Sequence, residues 1–148
     1  MRSSLPMVLV LGVAACHAGT GSARAGDIAI TGAYSFAPLA ADEGSAYFTI
    51  KNEGTAADTL LRIETPWAKS ATLHDEVMSG QSMRMEALTQ IEIPPSGAVT
   101  LKPGGKHLMI MEFSHSPKPG EILPLTLEFA HAGQVTVQAP VYRYGDAP

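Results

Sequence analysis

Apolar and polar residues alternate in short runs over most of this chain, and Gly, Pro, Asn and Asp separate the runs. Alternation puts every second side chain on the same face of an extended strand, so each run predicts a strand with one buried face. The runs fall at residues 27–36, 45–52, 58–64, 91–93, 98–101 and 106–113. Residues 69–77 and 83–88 predict the arms of a hairpin, and residues 122–130 and 134–141 a closing pair joined around Gly133. Turn chemistry lies between them, as in Asn52-Glu53-Gly54, Pro94-Pro95 and Lys102-Pro103-Gly104-Gly105. No stretch carries convincing helical periodicity. About eight to ten short strands at regular spacing predict an all-β sandwich or small barrel.

The first 25 residues break the pattern. Arg2 precedes an apolar run at residues 5–15, too short to span a bilayer and laid out as an export signal. Two cuts are open. Val13-Ala14-Ala15-Cys16 resembles a bacterial lipobox, which would leave a lipid anchor on Cys16; Ala23-Arg24-Ala25 is an A-x-A pattern with cleavage before Gly26. Either cut predicts an exported protein with one domain at residues 26–148.

Composition narrows the chemistry. Only Arg2 and Arg24 leave with the longer signal, so residues 26–148 hold eight Lys+Arg against fourteen Asp+Glu. With no basic patch, nucleic acid is not an expected partner. Those residues contain no cysteine. That removes disulfides, thiolate zinc sites, a Cys nucleophile and the Cys ligand of a blue-copper centre. There is no Ser-His-Asp arrangement or H-E-x-x-H motif, so no enzymatic activity is expected.

What remains is sulfur and imidazole. All five methionines of residues 26–148 lie between Met78 and Met111, and His74 and His107 bracket or join them. His107 and Met109 are two apart on an expected strand and so share a face, which Met111 continues. If the hairpin turns on Ser79-Gly80, His74 falls directly opposite Met85. Opposed residues have Cβ atoms about 4.5–5.5 Å apart, so one imidazole and one thioether would converge. Thioethers are soft, neutral donors that suit Cu(I) and suit Zn(II), Mg(II) or Ca(II) poorly. Met78, Met83 and Met111 are expected to pack or line the site, because Met is a common gap-filler. His115 and His131 are expected on loops or surface.

The pattern His74-x10-Met85-x21-His107-x-Met109 resembles the motif of the periplasmic copper chaperones called PCu(A)C, or DUF461. The segments SAYFTIKN at 45–52, KPGGKHLM at 102–109, and PLTLEF with GQVTV at 124–129 and 133–137 resemble that family's conserved stretches. The resemblance implies a cupredoxin-like Greek-key β fold, one Cu(I) per chain held by His74, Met85, His107 and Met109, and a periplasmic location. It also implies delivery of copper during cytochrome oxidase assembly, to the subunit carrying Cu(A) or through Sco-type partners. The chain departs from the family in having Tyr34-Ser35-Phe36 where many members have Trp-Ala-Arg, a change expected to touch packing or a partner surface rather than the site. It also ends without the Met/His-rich extension of some members, which predicts a single site. Copper buffering without an oxidase partner would use the same residues; a redox carrier could cycle copper on a mixed His/Met site but would lack the Cys of an electron-transfer centre, and a metal-free binding module would use the methionines as core packing.

Overall fold

The computed structural model describes residues 20–40 and 42–146. Its strands are β1 (Ala23–Ala25), β2 (Ile28–Phe36), β3 (Glu43–Asn52), β4 (Asp58–Glu64), β5 (Ala68–Ser79), β6 (Ser82–Leu88), β7 (Ile91–Ile93), β8 (Ala98–Thr100), β9 (His107–Phe113), β10 (Ile122–Phe129) and β11 (Gly133–Tyr142). No helix occurs among the described residues, so none is long and apolar enough to cross a membrane. The strands expected from alternation form within a few residues of their expected ends, and the architecture is all-β as expected.

Neighbouring strands run in the order β6-β5-β9-β3-β2-β11-β10-β4-β7, with β1 on β2 and β8 on β3. β2 and β11 are parallel, with Val141 opposite Ser35; the other pairs are antiparallel. The path folds into two layers around one core. Ile30, Phe48, Ile50, Leu108 and Ile110 enter it from one side, and Leu60, Ile93, Leu123, Leu125 and Leu127 from the other. Each large apolar side chain buried this way is worth about 1.5–3 kcal/mol before conformational entropy is charged against it. The chain crosses between layers at β3–β4, β4–β5, β6–β7, β7–β8 and β9–β10, so strands distant in sequence become neighbours.

Two features depart from the alternation pattern. The first is β1, which lies inside the stretch with the character of an export signal. It pairs with β2 at Ala23–Ile30, Arg24–Ala29 and Ala25–Ile28. Just before it, Gly21 N–H donates to Gln138 O at 2.6 Å, and Gly21 O accepts from Ala33 N–H at 3.0 Å. Cys16 lies outside the described residues. The second is a bulge in β2. Thr31 faces Thr49, but Tyr34 faces Tyr47, so β2 carries one extra residue at this point. Gly32, at φ 64, takes the left-handed conformation that the bulge requires. The extra residue inverts the alternation. Ile28 and Ile30 point into the core before it; Ala33 and Ser35 do so after it, which turns Tyr34 and Phe36 outward.

A buried carboxylate closes the far end of the sandwich. Asp58, at the start of β4, accepts from Thr59 N–H at 2.7 Å and from His131 and Ala132 N–H at 2.9 Å each. It therefore holds the β10–β11 turn onto β4. Burial alone would push its carboxyl upward, but the three backbone donors outweigh that effect and hold it below the ordinary carboxylate range. With the folded-state value depressed, the stabilisation is present above about pH 4 and is lost as pH falls through the folded value. Asp58→Ala is expected to cost about 1–3 kcal/mol at pH 7 in urea unfolding. The gap from the parent should narrow below about pH 4; a gap that is constant with pH would contradict this role for Asp58.

Candidate metal centre

The outer face of the β6-β5-β9-β3 sheet carries the chemistry. Leu73 faces Leu108 across the β5–β9 pair, and both are buried in the core. The next pair along, His74 and His107, therefore points to the opposite face. Their rings lie nearly parallel, with centroids 5.8 Å apart and an interplanar angle of 18°. Met109 follows on the same face of β9, opposite Thr72 on β5 and Ser45 on β3. Strand alternation thus brings His74, His107 and Met109 together.

Met85 joins them by a register one step from the expected one. The hairpin turns on Gly80-Gln81, with Ser79 opposite Ser82, so His74 faces Ala87 and Met85 faces Glu76. The expected turn on Ser79-Gly80 would put Ser79 at the first central position. A two-residue loop of primed type needs φ > 0 there, which suits glycine and strains serine. Gly80 takes that position at φ 66, while Gln81 is not among the positive-φ residues, the type II′ arrangement. The shift leaves face parity intact, so Met85 stays on the face of His74, diagonal to it rather than opposed. The register can be checked by cross-linking, in a chain whose Cys16 is replaced by Ser. Asp75 faces Glu86, so D75C/E86C is expected to oxidise within one chain more completely than D75C/R84C; the reverse ranking would restore the other register.

The two imidazoles are held differently. His107 is only 6% exposed. Its Nδ1 lies 3.0 Å from Gly105 O. A carbonyl only accepts, so Nδ1 carries the proton and Nε2 of the neutral ring keeps its lone pair outward. The Gly105 carbonyl belongs to a tight loop closed by Lys102 N–H to Lys106 O at 2.9 Å and Gly105 N–H to Lys102 O at 3.1 Å. Lys106 Nζ bonds Asp75 Oδ2 at 2.9 Å and fastens that loop to β5. His74 is less enclosed, and its Nε2 is 2.9 Å from the Thr72 hydroxyl.

A cleft of about 320 Å³ opens beside these residues, lined by Met85, His107, Met109, Glu76, Phe36 and Tyr47 among others. Phe36 is there because of the β2 bulge. The Tyr34-Ser35-Phe36 departure thus reaches the site, contrary to expectation, while Ser35 turns inward and its hydroxyl donates to Ser45 O at 2.9 Å. Glu76 also lines the cleft and was not singled out by the sequence; its spacing of two from His74 on one strand was the signal available. Tyr34, Phe36, Tyr47 and Tyr144 form an aromatic wall, with Tyr34–Tyr47 centroids at 5.2 Å and Phe36–Tyr144 at 5.3 Å.

The other candidates sit elsewhere. Met78 and Met83 are neither packed nor in the cleft lining. They face each other near the end of the hairpin and are exposed, on the outer face beyond the last β5–β9 pair at His74–His107. Met111 shares the outer face, opposite Ser70 and Glu43. His115 packs edge-on against Trp67 with centroids 4.4 Å apart and bonds Glu121 at 2.6 Å; His131 is in the β10–β11 turn. Among the described residues no three His, Cys, Asp or Glu side chains converge as a group that could hold a metal ion; the side chains that do share this face are two imidazoles and the thioethers of Met85 and Met109.

The chain has the cupredoxin-like Greek-key β fold of PCu(A)C domains. A copper-bound PCuAC domain from PmoF2 superposes with a TM-score of 0.72 at 26% identity, covering 82% of this chain and 97% of that one. Apo-DR1885 from Deinococcus radiodurans gives a TM-score of 0.62 at 27% identity over the whole of both chains. Its Cu(I) form gives 0.60 at 29% identity over 78% of each. The "Putative lipoprotein Lxx21020" of Leifsonia xyli subsp. xyli is 28% identical over 104 residues, 70% of this chain and 63% of that protein's length. The family described as "Putative lipoprotein LpqE-like" matches residues 28–141. The chain belongs to this family, which is the PCu(A)C family of the sequence resemblance.

Proposed function

We propose that the protein is an exported Cu(I) metallochaperone that binds one ion through His74, Met85, His107 and Met109. The observation that carries this reading is the direct opposition of His74 and His107, with Met109 and Met85 on the same outward face. Both imidazoles and both thioethers are neutral donors of the softness Cu(I) prefers. Copper is cargo here, and the site suits capture and release. His107 is a nearly buried anchor whose free Nε2 is already oriented, whereas Met85 is 54% exposed and can be displaced by an acceptor's ligand. The recipient is a cytochrome oxidase subunit carrying Cu(A), or a Sco-type chaperone acting before it, in the periplasm. Copper-bound relatives of the same fold support the cargo; the recipient rests on the family resemblance alone.

Replacing both His107 and Met109 by Ala is expected to weaken Cu(I) binding by at least about a hundredfold, equivalent to roughly 2.7 kcal/mol. The measurement is competition against a Cu(I) chelator, with urea unfolding to show that the variant folds. Unchanged affinity in a folded double variant would remove the quartet from the reading.

The processing that fits the structure is lipidation at Cys16. A cut before Gly26 would delete β1, the Gly21 hydrogen bonds to Gln138 and Ala33, and the Arg24–Glu53 ion pair at 2.6 Å. A cut before Cys16 keeps all of them and leaves a short tether before the domain. The lipoprotein descriptions of the family and of the Leifsonia relative support the same choice. Mass spectrometry of the protein recovered from its native membrane fraction should show an acylated Cys16 as the first residue; an unmodified Gly26 terminus would overturn this.

A further inference from the structure

The β5–β6 hairpin outruns the sheet. Pairing of β5 with β9 ends at His74–His107; the loop before β9 still holds Asp75, through Lys106 Nζ, and Glu76, whose N–H reaches Gly105 O at 3.4 Å, while residues 75–79 and 82–86 continue as a hairpin ribbon. One face of that ribbon carries Glu76, Met78, Met83 and Met85; the other carries Asp75, Val77, Arg84 and Glu86. The polar face is what a solvated ribbon needs, and Arg84 and Glu86 pair along it. The methionine face is not. Met78 is 61% and Met83 62% exposed, directly opposed to each other, and Met85 is the next residue but one on β6. Exposing three apolar side chains side by side gains the fold nothing, since their burial is what stabilises.

We propose that Met78, Met83 and Met85 form a second, weaker Cu(I) site made only of thioethers, at which the ion first lands before passing inward to the two imidazoles. The inference rests on the quartet reading above, because the sites share Met85. Opposed Cβ atoms about 4.5–5.5 Å apart put the Met78 and Met83 sulfurs within reach of one ion, and three rotatable bonds let Met85 complete a three-coordinate set. Three neutral sulfurs hold Cu(I) without changing its oxidation state, and they offer little to harder cations. Direction follows from the ligands. Met85 moves from the outer set to the inner one, where two imidazoles replace two thioethers. An ion already on the inner site competes for Met85, so the outer site is the weaker when both are offered copper.

The test is an anaerobic titration with the Cu(I)–acetonitrile complex, up to several equivalents, followed by NMR of methionine methyl groups labelled with carbon-13. The first equivalent should shift the Met85 and Met109 methyls. Further copper, bound roughly tenfold or more weakly, should shift Met78 and Met83. The M78L/M83L variant keeps the bulk of both residues on a solvent-exposed surface. It should lose the weak phase while its first-equivalent affinity stays within about twofold of the parent. Met78 and Met83 methyls that stay still while Met85 and Met109 move would overturn the outer site and leave the quartet standing. A weak phase that survives in M78L/M83L would do the same. Movement of Met78, Met83 and Met85 with Met109 still would instead sink the quartet, and no methyl shift at any ratio would sink both.

Discussion

The site depends on the packing of Leu73 against Leu108. Both side chains are buried where β5 meets β9, and neither can leave the core without exposing its apolar surface. A strand that slips by one residue sends every side chain to the other face, so core packing excludes that slip. With the register held there, His74 and His107 have one geometry available, opposed on the outer face with rings 5.8 Å apart. The chemistry is therefore positioned by hydrophobic burial one residue away, on the reverse of the same sheet. The tight Lys102–Lys106 loop then adds orientation, using the Gly105 carbonyl to set the His107 tautomer and the Lys106–Asp75 pair to hold the loop down.

A sheet face is a particular choice of place for a cargo site. Strand backbones give precise spacing, but a sheet is flat, and an ion resting on it stays open to solvent and partners. The aromatic wall beside the cleft compensates on one side only. Tyr34, Phe36, Tyr47 and Tyr144 raise that edge, and the bulge at Gly32 is what turns Tyr34 and Phe36 toward it. On the other side the hairpin ribbon leaves its thioethers in water. Protection and exposure are thus divided across the face, with His107 deep and Met78, Met83 and Met85 at the rim, the gradient that the proposed handover by stepwise ligand exchange would use.

Most of the sheet was legible because each strand obeys the same rule: one face buried, alternation visible, a turn residue at each end. Asp58–Glu64 and Ile91–Ile93 form over the expected residues. His107 and Met109 were legible for the same reason, since their shared face follows from spacing two alone. Three things escaped that rule, each for a physical reason. β1 is three residues of small or charged side chains inside a leader-like composition, and its place comes from pairing with β2 rather than from its own pattern. The bulge at Gly32 reverses alternation within one strand, so the outward turn of Phe36 cannot be read by counting from Ile28. Met78 and Met83 looked like packing because methionine usually is; their exposure comes from a hairpin that runs past the last β5–β9 pair, which composition does not show.

The hairpin shows why a wrong register need not give a wrong site. Pairing in a two-residue hairpin keeps the sum of opposed residue numbers constant. Moving the turn from Ser79-Gly80 to Gly80-Gln81 raises that sum by two, because both strands shift together around the loop. An even change preserves parity, so Met85 remains on the His74 face and moves two residues along β5, to lie opposite Glu76. Glu76 lines the cleft beside it. The turn is thus chosen by local strain, through the φ > 0 that glycine accepts and serine resists, while the face is chosen by the core. The donor set is robust to the first choice because it depends only on the second.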